Sequence, residues 1–242
     1  MTKQAYLTFF EHLEELRKRL VISLVFVGIG TAFGLFYSDT VLKFLLSPIE
    51  SQIDQVYFFS PAEAFVVKLK VAFLFGLLVT SPGTISQIWL FFSPALRSNE
   101  KRVLLPLIFV SSCLFLSGVL FCFYLAMPYA LRFLIGMQTD FLRPIISVEN
   151  YIDLLFGMLV AFGACFILPI FIVALAFWGI LTFNMLNKCQ RHAIVVIFVV
   201  AAVATPTPDI MGQMILALPL LLLFEISVLG SKLVEVFGKK KR

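Results

Sequence analysis

The charged side chains with the clearest chemistry lie on the stretch Phe9–Leu20, immediately before the first long apolar run. Its acids and bases are Glu11, Glu14, Glu15, Arg17, Lys18 and Arg19. At 100° per residue the apolar side chains form one stripe and the acids lie opposite, which predicts an amphipathic helix over residues 1–19 at a membrane surface. Glu15 and Arg19 are four residues apart and can form an ion pair across one helical turn. We expect the protein to recognise its binding partner at this junction.

Other ionisable groups lie in or beside apolar segments, where they are costly and often functional. They are Glu100, Asp153, Asp209 and Glu225. Glu100 lies at a predicted helix start, where a carboxylate interacts favourably with the helix dipole. Its presence is therefore explained either by this capping role or by a binding role. Asp209 is expected to be an N-cap. For Glu225 we favour function, because no neighbouring residue neutralises it and it must face protein, water or a partner helix.

Enzymatic chemistry is not predicted. The sequence contains no phosphate-binding loop, no GxSxG and no HExxH motif. Its four cysteines lack metal-ligand spacing, and its two histidines, His12 and His192, are far apart and are interpreted as structural. We therefore expect no metal and no cofactor, and a binding or conducting role.

The composition predicts a polytopic membrane protein. Hydrophobic residues make up 61% of the 242 residues and charged residues 14%, and the chain contains 28 Phe. The net charge of +5 is an ordinary consequence of membrane orientation and does not indicate nucleic acid. The first apolar run has no small-residue cleavage site behind it, so it is interpreted as a retained span.

Six apolar segments predict an all-α fold with six transmembrane helices. They are Leu20–Tyr37, Val66–Phe92, Val103–Leu125, Ile152–Trp178, Ala193–Ala204 and Met214–Leu229. The first four approach the ~20 residues that cross a bilayer, whereas the fifth would reach only about 18 Å. The fifth segment must end within the bilayer, recruit flanking polar residues or thin the lipid. We expect short fifth and sixth helices.

Lysine and arginine predict the orientation of the chain. Most of the 19 bases lie in the N-terminal segment, the second and fourth connections and the tail at residues 230–242. By the positive-inside rule both termini are cytoplasmic and the tail is a basic cytoplasmic segment. The whole chain, residues 1–242, is predicted to form a single membrane domain.

The two outward connections, residues 38–65 and 126–151, are predicted to form a structured outer cap. Both are rich in aromatic and apolar residues, and prolines such as Pro48 are expected to punctuate short helices there. Ser60 and Glu63 fit a capping box that starts the second membrane helix, with Pro61 at its first position. No sequence repeat relates the two halves, which counts against an inverted-repeat transporter.

Seven short motifs occur in order along the chain. They are His12–Leu20, Leu46–Ile49, Ser60–Phe65, Phe91–Leu96 followed by Asn99–Arg102, Ala161–Gly163 with Pro169, Thr205–Asp209 with Gln213, and Phe224–Ile226. Together they resemble the signatures of the TatC family, the receptor subunit of the twin-arginine protein translocase. The resemblance covers nearly the whole chain.

The resemblance implies function and site residues. TatC proteins bind signal peptides that carry consecutive arginines on folded exported proteins, and they recruit single-span TatA- and TatB-type partners in the bacterial cytoplasmic membrane, with the proton motive force as energy source. Glu15 and Glu100 match the family's arginine-contacting acids. We assign Glu11, Glu14, Arg17 and Phe91 to the same signal-peptide site, Thr205, Gln213 and Glu225 to a partner helix, and Pro48, Ser60, Glu63 and Asp209 to the outer cap.

The family fold is a concave cup of six helices with a tilted, incompletely spanning fifth and sixth hairpin, and we expect an oligomer. One departure is present: where many relatives carry an acid or amide in the fourth span, this chain has Ile167. The function of the acid or amide in those relatives therefore cannot be assigned to this chain. The alternative functions are an ion- or proton-coupled solute transporter using Asp153, Asp209 and Glu225, and an assembly factor that only holds other helices.

Overall fold

The structure, a computed structural model, describes residues 2–50, 56–93, 103–136, 145–179, 181–204 and 210–239. For residues 2–10, 50, 203–204, 210–212 and 233–239 it describes the backbone alone. Over these ranges the chain is almost entirely helical. The helices are α1 (Thr2–Glu50), α2 (Pro61–Val79), α3 (Ser81–Phe92), α4 (Leu104–Phe121), a π-helical turn (Cys122–Ala126), α5 (Met127–Gly136), α6 (Val148–Phe177), α7 (Phe183–Ala204) and α8 (Ile210–Lys239).

The predicted membrane class is confirmed by helix length and composition. Within the described ranges, five helical stretches are long and apolar enough to cross a membrane, and the count is six if α2 and α3 form one span bent by 57°. The predicted second span is therefore broken at Thr80. The predicted third span continues further than expected, since α4, the π-helical turn and α5 follow one another to Gly136.

Two Ser-Pro pairs explain how prolines are accommodated in and between these helices. Pro48 and Pro82 lack the N–H that would bond to the carbonyl four residues earlier. In each case the preceding serine hydroxyl donates to that carbonyl: Ser47 to Phe44 O at 2.8 Å, and Ser81 to Leu78 O at 2.7 Å. The serine thus satisfies a backbone group that would be costly to leave unpaired in lipid.

Helix α1 corrects the prediction for the first outer connection. The segment predicted as an amphipathic helix continues directly into the first span, because α1 runs unbroken from Thr2 to Glu50. The same helix includes the first part of the predicted outer loop 38–65, and Pro48 lies inside it instead of separating short helices. Helix propagation adds one hydrogen bond per residue regardless of apolar content, so the helix outlasts the apolar run.

The fifth and sixth helices are longer than the apolar runs from which their length was predicted. Helix α7 has 22 residues and α8 has 30. Helix α7 begins at Phe183 and includes the polar residues that precede the apolar run. Recruitment of flanking polar residues was one of the three alternatives left open by the sequence.

The described chain divides into two compact units. The first unit, Met1–Leu42 with Lys68–Ser112, contains most of α1, most of α2, α3 and the start of α4. Helices α1 and α2 approach closely there, since a Cβ added to Gly30 would lie 2.8 Å from the Cα of Gly76. Trp89 of α3 is buried and its Nε1 donates to the hydroxyl of Ser111 at 2.9 Å. A glycine contact therefore brings α1 against α2, and one buried polar pair joins α3 to α4.

The second unit, Lys43–Val67 with Cys113–Arg242, is built around α6 and α8. Helix α6 packs against α8, and α8 packs against α7. Buried Leu186, Phe224 and Val228 form the core between α7 and α8. Helix α6 ends at a left-handed Gly179 with φ of 75°, a conformation that glycine adopts without a Cβ clash.

Candidate functional site

The most strongly positioned acid on the N-terminal part of α1 is Glu15. Arg19, one turn later, donates from Nη2 to Glu15 Oε1 at 3.3 Å, and one-quarter of each side chain is exposed. The predicted Glu15–Arg19 pair is confirmed. Arg19 also donates from Nη1 to Gln87 Oε1 at 3.2 Å, which connects α1 to the buried amide of α3. The carboxylate is therefore held against a second helix through a guanidinium.

The remaining charged residues of this stretch are exposed. They are Glu11, Glu14, Arg17 and Lys18. The apolar stripe is exposed as well, since Leu13 and Leu16 are each 45% exposed and Leu20 is 59% exposed. Both the acidic side and the apolar side of this end of α1 are thus accessible to membrane or to a ligand.

Phe91, predicted to contribute to the site, lies at the end of α3 and faces α1. Its ring centroid is 5.1 Å from that of His12 with the planes tilted by 51°. His12 lies one turn before Glu15, so the aromatic pair and the Glu15–Arg19 pair occupy neighbouring turns of α1. His12 was interpreted as structural, and that interpretation stays a prediction.

Sequence reasoning missed Gln87 and the role of Arg19. Gln87 is separated from Arg19 by 68 residues and carries no charge or motif that would draw attention to it. The i,i+4 spacing identified Arg19 only as a helix-supporting base. Glu100, the second predicted arginine-binding acid, lies outside the described residues, as do Thr205 and Asp209.

Two of the residues predicted to contact a partner helix, Gln213 and Glu225, lie on α8 and bond to α7. Gln213 donates from Nε2 to the carbonyl of Phe198 at 2.8 Å. Glu225 is exposed, and its Oε1 accepts a 2.6 Å hydrogen bond from Gln190 Nε2. Glu225 therefore has a neutral partner, which the sequence did not indicate.

Ile167, which replaces the usual polar group of relatives, is half-buried in α6. Helices α6, α7 and α8 enclose an apolar cavity of about 170 Å³ close to this position along α6. Its lining includes Cys165, Pro169, Val196 and Leu220. This part of the helix is adapted to apolar contacts.

Two of the predicted outer-cap residues, Ser60 and Glu63, lie at the start of α2. Only 6% of Glu63 is exposed, and its carboxylate accepts hydrogen bonds from the Ser147 hydroxyl and from the backbone N–H of Phe59 at 2.7 Å. Ser60 Oγ accepts from the Ala62 N–H at 3.3 Å, so the serine caps α2 at the second helical position. The predicted capping box is thus displaced by one residue at each end, and the acid also reaches the start of α6.

Further bonds connect the same segments. Tyr57 pairs with Ser147 in an isolated parallel β-bridge, with Tyr57 N–H donating to Ile146 O and Val148 N–H donating to Tyr57 O, both at 3.1 Å. The buried Tyr151 hydroxyl donates to the carbonyl of Leu45, in the last turns of α1, at 2.7 Å. The described parts of both connections are therefore ordered by mutual hydrogen bonds.

These features define a polytopic α-helical membrane protein. Within the described ranges, no group of three or more His, Cys, Asp and Glu side chains is placed to hold a metal ion. Residues 11–219 match the family described as Sec-independent protein translocase protein (TatC). The chain belongs to the TatC family.

Individual relatives agree with this membership. The TatC protein of Carboxydothermus hydrogenoformans is 36% identical over 238 residues, which are 97% of this chain and 98% of the relative. The TatC protein of Aquifex aeolicus is 37% identical over 227 residues, 92% of this chain and 94% of the relative. A crystal structure of the twin-arginine translocase receptor TatC in the detergent DDM superposes with a TM-score of 0.79 at 36% identity, covering 90% of this chain and 98% of that one.

Family membership decides between the functions left open by the sequence. The protein is a multi-pass membrane component of a Sec-independent protein translocase, which is a transport role without enzymatic chemistry. A translocase component works with other membrane proteins. The alternative of a small-solute transporter is set aside.

Proposed function

We propose that this protein is the receptor subunit that binds twin-arginine signal peptides of folded proteins. Binding takes place at the cytoplasmic face of a bacterial cytoplasmic membrane, with both termini cytoplasmic. The observation that carries the proposal is the Glu15 carboxylate, which is half-buried beside α3 and already accepts from a guanidinium.

The chemistry of arginine recognition follows from the shape of the two groups. A guanidinium presents two parallel N–H donors to the two oxygens of a carboxylate, whereas the ammonium of lysine acts as a point charge. Glu15 binds one arginine of the pair and Glu100 supplies the second carboxylate. The exposed acids Glu11 and Glu14 attract the cationic peptide.

Arg17 and Phe91 complete the proposed signal-peptide site. Phe91 offers an aromatic face on which a guanidinium can stack. Arg17 is exposed on α1 two residues after Glu15, where it can bond to carbonyls of an extended peptide. Arg17 directly follows Leu16 of the exposed apolar stripe, which suits the hydrophobic part of a signal peptide.

The second part of the proposal concerns partners. TatA- and TatB-type single-span helices pack beside α7 and α8, where Thr205, Gln213 and Glu225 offer polar contacts and the lipid bilayer surrounds the rest. Pro48, Ser60, Glu63 and Asp209 support the outer cap. Copies of the protein assemble into an oligomer, the proton motive force drives transport, and nucleic acid has no role.

The test is binding of a twin-arginine signal peptide to purified protein in detergent or nanodiscs. Glu15→Gln and Glu100→Gln each remove charge-assisted hydrogen bonds worth about 1.5–3 kcal/mol, so affinity falls by roughly 10- to 150-fold. A twin-lysine peptide is weakened comparably on the unaltered protein.

Asp39→Asn is the matched control, because Asp39 is another acid of α1 and forms an ion pair with Lys68 at 2.8 Å. The control variant keeps its peptide affinity. Unchanged affinity in both glutamate variants would overturn the proposed binding site.

A further inference from the structure

We propose that Arg19 is an internal competitor for the signal-peptide arginine. In the free receptor its guanidinium occupies the Glu15 carboxylate, and an incoming arginine displaces it. This inference rests on the proposed function of Glu15. It assigns to Arg19 a role in setting how strong a signal must be to bind.

The first argument is that the Glu15 contact is incomplete. Arg19 reaches a single carboxylate oxygen, Oε1, through Nη2 at 3.3 Å. Charge-assisted N–H···O bonds are ordinarily about 2.7–2.9 Å long, and the strongest arginine–carboxylate pairs are bidentate. Among the described residues Arg19 is the hydrogen-bond partner of Glu15, and it leaves the second carboxylate oxygen open. A bidentate guanidinium from a peptide makes a better pair.

The second argument is that Arg19 has another place to bond. Its Nη1 donates to Gln87 Oε1 at 3.2 Å, and this contact can remain when Glu15 is released. Its Nε is buried and has no hydrogen-bond partner among the described residues. Arg19 is therefore only partly satisfied by its present contacts, which lowers the cost of moving it.

The third argument is magnitude. With one-quarter of each side chain exposed, the pair belongs with partly solvated ion pairs, which change an equilibrium by at most about five-fold. This effect of about five-fold is small compared with the affinity that a bidentate peptide arginine gains from the Glu15 carboxylate. The competitor therefore lowers the affinity of every cationic peptide by the same modest factor, and only the stronger ligands remain bound.

The expected result for Arg19→Gln follows directly. Binding of a twin-arginine peptide and of a twin-lysine peptide tightens by the same factor of about two to five, and the ratio of their affinities is unchanged. Lys18→Gln is the matched control, because it removes the same charge from the adjacent, exposed position. The smaller increase in peptide affinity expected for Lys18→Gln measures the general effect of losing a positive charge.

Gln87→Leu tests the mechanism from the other side. Without the Gln87 amide, the Arg19 guanidinium bonds to Glu15 alone. Peptide binding then weakens, because Arg19 loses the contact that could hold it away from Glu15. In the Arg19→Gln background the same Gln87→Leu change has no effect on affinity, because the competitor is gone. Thermal unfolding of each variant shows whether it is folded, and Arg19→Lys, which keeps the charge with fewer donors, gives a smaller increase in affinity.

Three outcomes separate the hypotheses. Tighter binding in Arg19→Gln than in Lys18→Gln supports the competitor. Weaker binding in Arg19→Gln overturns it, because Arg19 then only positions Glu15, and an effect equal to that of Lys18→Gln overturns it as well. If Glu15→Gln and Glu100→Gln both leave peptide affinity unchanged, the proposed binding site itself fails, whatever Arg19 does.

Discussion

The hydroxyl of Ser147 donates a hydrogen bond to the carboxylate of Glu63, although 84 residues separate them in the chain. The contact joins the first turn of α2 to the residue that caps α6. Ser147 also accepts from the Glu149 N–H at 3.1 Å and so completes the N-cap of α6. One hydroxyl therefore serves both a helix end and the connection between two chain segments.

Ser147→Ala is predicted to lower the thermal stability of the protein. It removes an N-cap, which typically contributes about 0.5–2 kcal/mol, and it takes one donor from Glu63, which still accepts from the N–H groups of Phe59 and Glu149. Unfolding can be followed with a thiol-reactive dye, since Cys122 and Cys165 are buried, after the exposed Cys113 and Cys189 have been changed to serine.

Ser117→Ala is the control for this measurement. Its exposed hydroxyl bonds only to a carbonyl of its own helix, Leu114 O at 2.8 Å. An equal melting temperature for the two variants would show that Ser147 does not join the segments.

Ser111→Ala is predicted to destabilise the unit that contains the proposed signal-peptide site. It leaves the buried Nε1 of Trp89 without its partner at 2.9 Å, and an unsatisfied buried donor costs about 1–3 kcal/mol. Ser112→Ala is the neighbouring control, because Ser112 bonds to Ile108 O within its own helix. Chemical unfolding followed by tryptophan fluorescence measures the stability of both variants. Equal unfolding midpoints would contradict the prediction.

Gly30→Ala is predicted to separate α1 from α2 and to destabilise the protein. The added Cβ would lie 2.8 Å from the Cα and O of Gly76, and backbone atoms cannot move aside without shifting a helix. Gly28→Ala, two residues earlier, meets nothing within 4 Å and gains about 1 kcal/mol of helix propensity. Opposite shifts in melting temperature are expected. A stabilised Gly30→Ala variant would be inconsistent with close packing at this site.

Pro48→Ala is predicted to impair export and partner association while leaving signal-peptide affinity unchanged. Alanine restores the N–H that bonds to Phe44 O, a carbonyl now satisfied by Ser47, and so alters the last turns of α1, where Leu45 O accepts from Tyr151. Glu15 lies at the other end of the helix. The prediction is contradicted by a variant that loses peptide binding but keeps normal partner association.

The fifth and sixth helices are predicted to contact a partner helix and water. The apolar run of α7 remains about 18 Å long although the helix has 22 residues, and Glu225 is exposed. Single cysteines along residues 193–229 should crosslink to TatA- or TatB-type partners near Gln213 and react with water-soluble thiol reagents near Glu225.

The comparison for these cysteines is a position in the middle of the third span. If the positions near Gln213 do not crosslink, and those near Glu225 react no faster than the third span, α7 and α8 are only packed structural elements. The partner surface would then lie elsewhere.

Local properties of the sequence predicted the class of the protein and part of its site. Apolar runs predicted membrane helices because burial in lipid depends on the composition of a single segment. The spacing of Glu15 and Arg19 predicted their pair because helical geometry fixes which residues meet within a turn. The start of α2 at Pro61 was predicted for the same local reason. Glu100, Thr205 and Asp209 stay predictions.

The lengths of the helices could not be read from apolar composition. Helix α1 continues through Pro48 because a serine replaces the missing donor, and α7 extends into a polar segment because backbone hydrogen bonds do not require apolar side chains. The hydropathy of a segment indicates which residues contact lipid, but it does not indicate how far the helix extends.

Contacts between distant residues were decided only by the tertiary structure. Arg19 meets Gln87 68 residues away, Glu63 meets Ser147 84 residues away, and Tyr151 meets Leu45 106 residues away. Such pairs depend on which helix faces pack together, and that packing results from contacts such as Gly30 with Gly76 summed over whole helices. The sequence therefore predicted Glu15 as a candidate binding acid, whereas its connection to α3 through Arg19 was decided by the packing of α1 against α3.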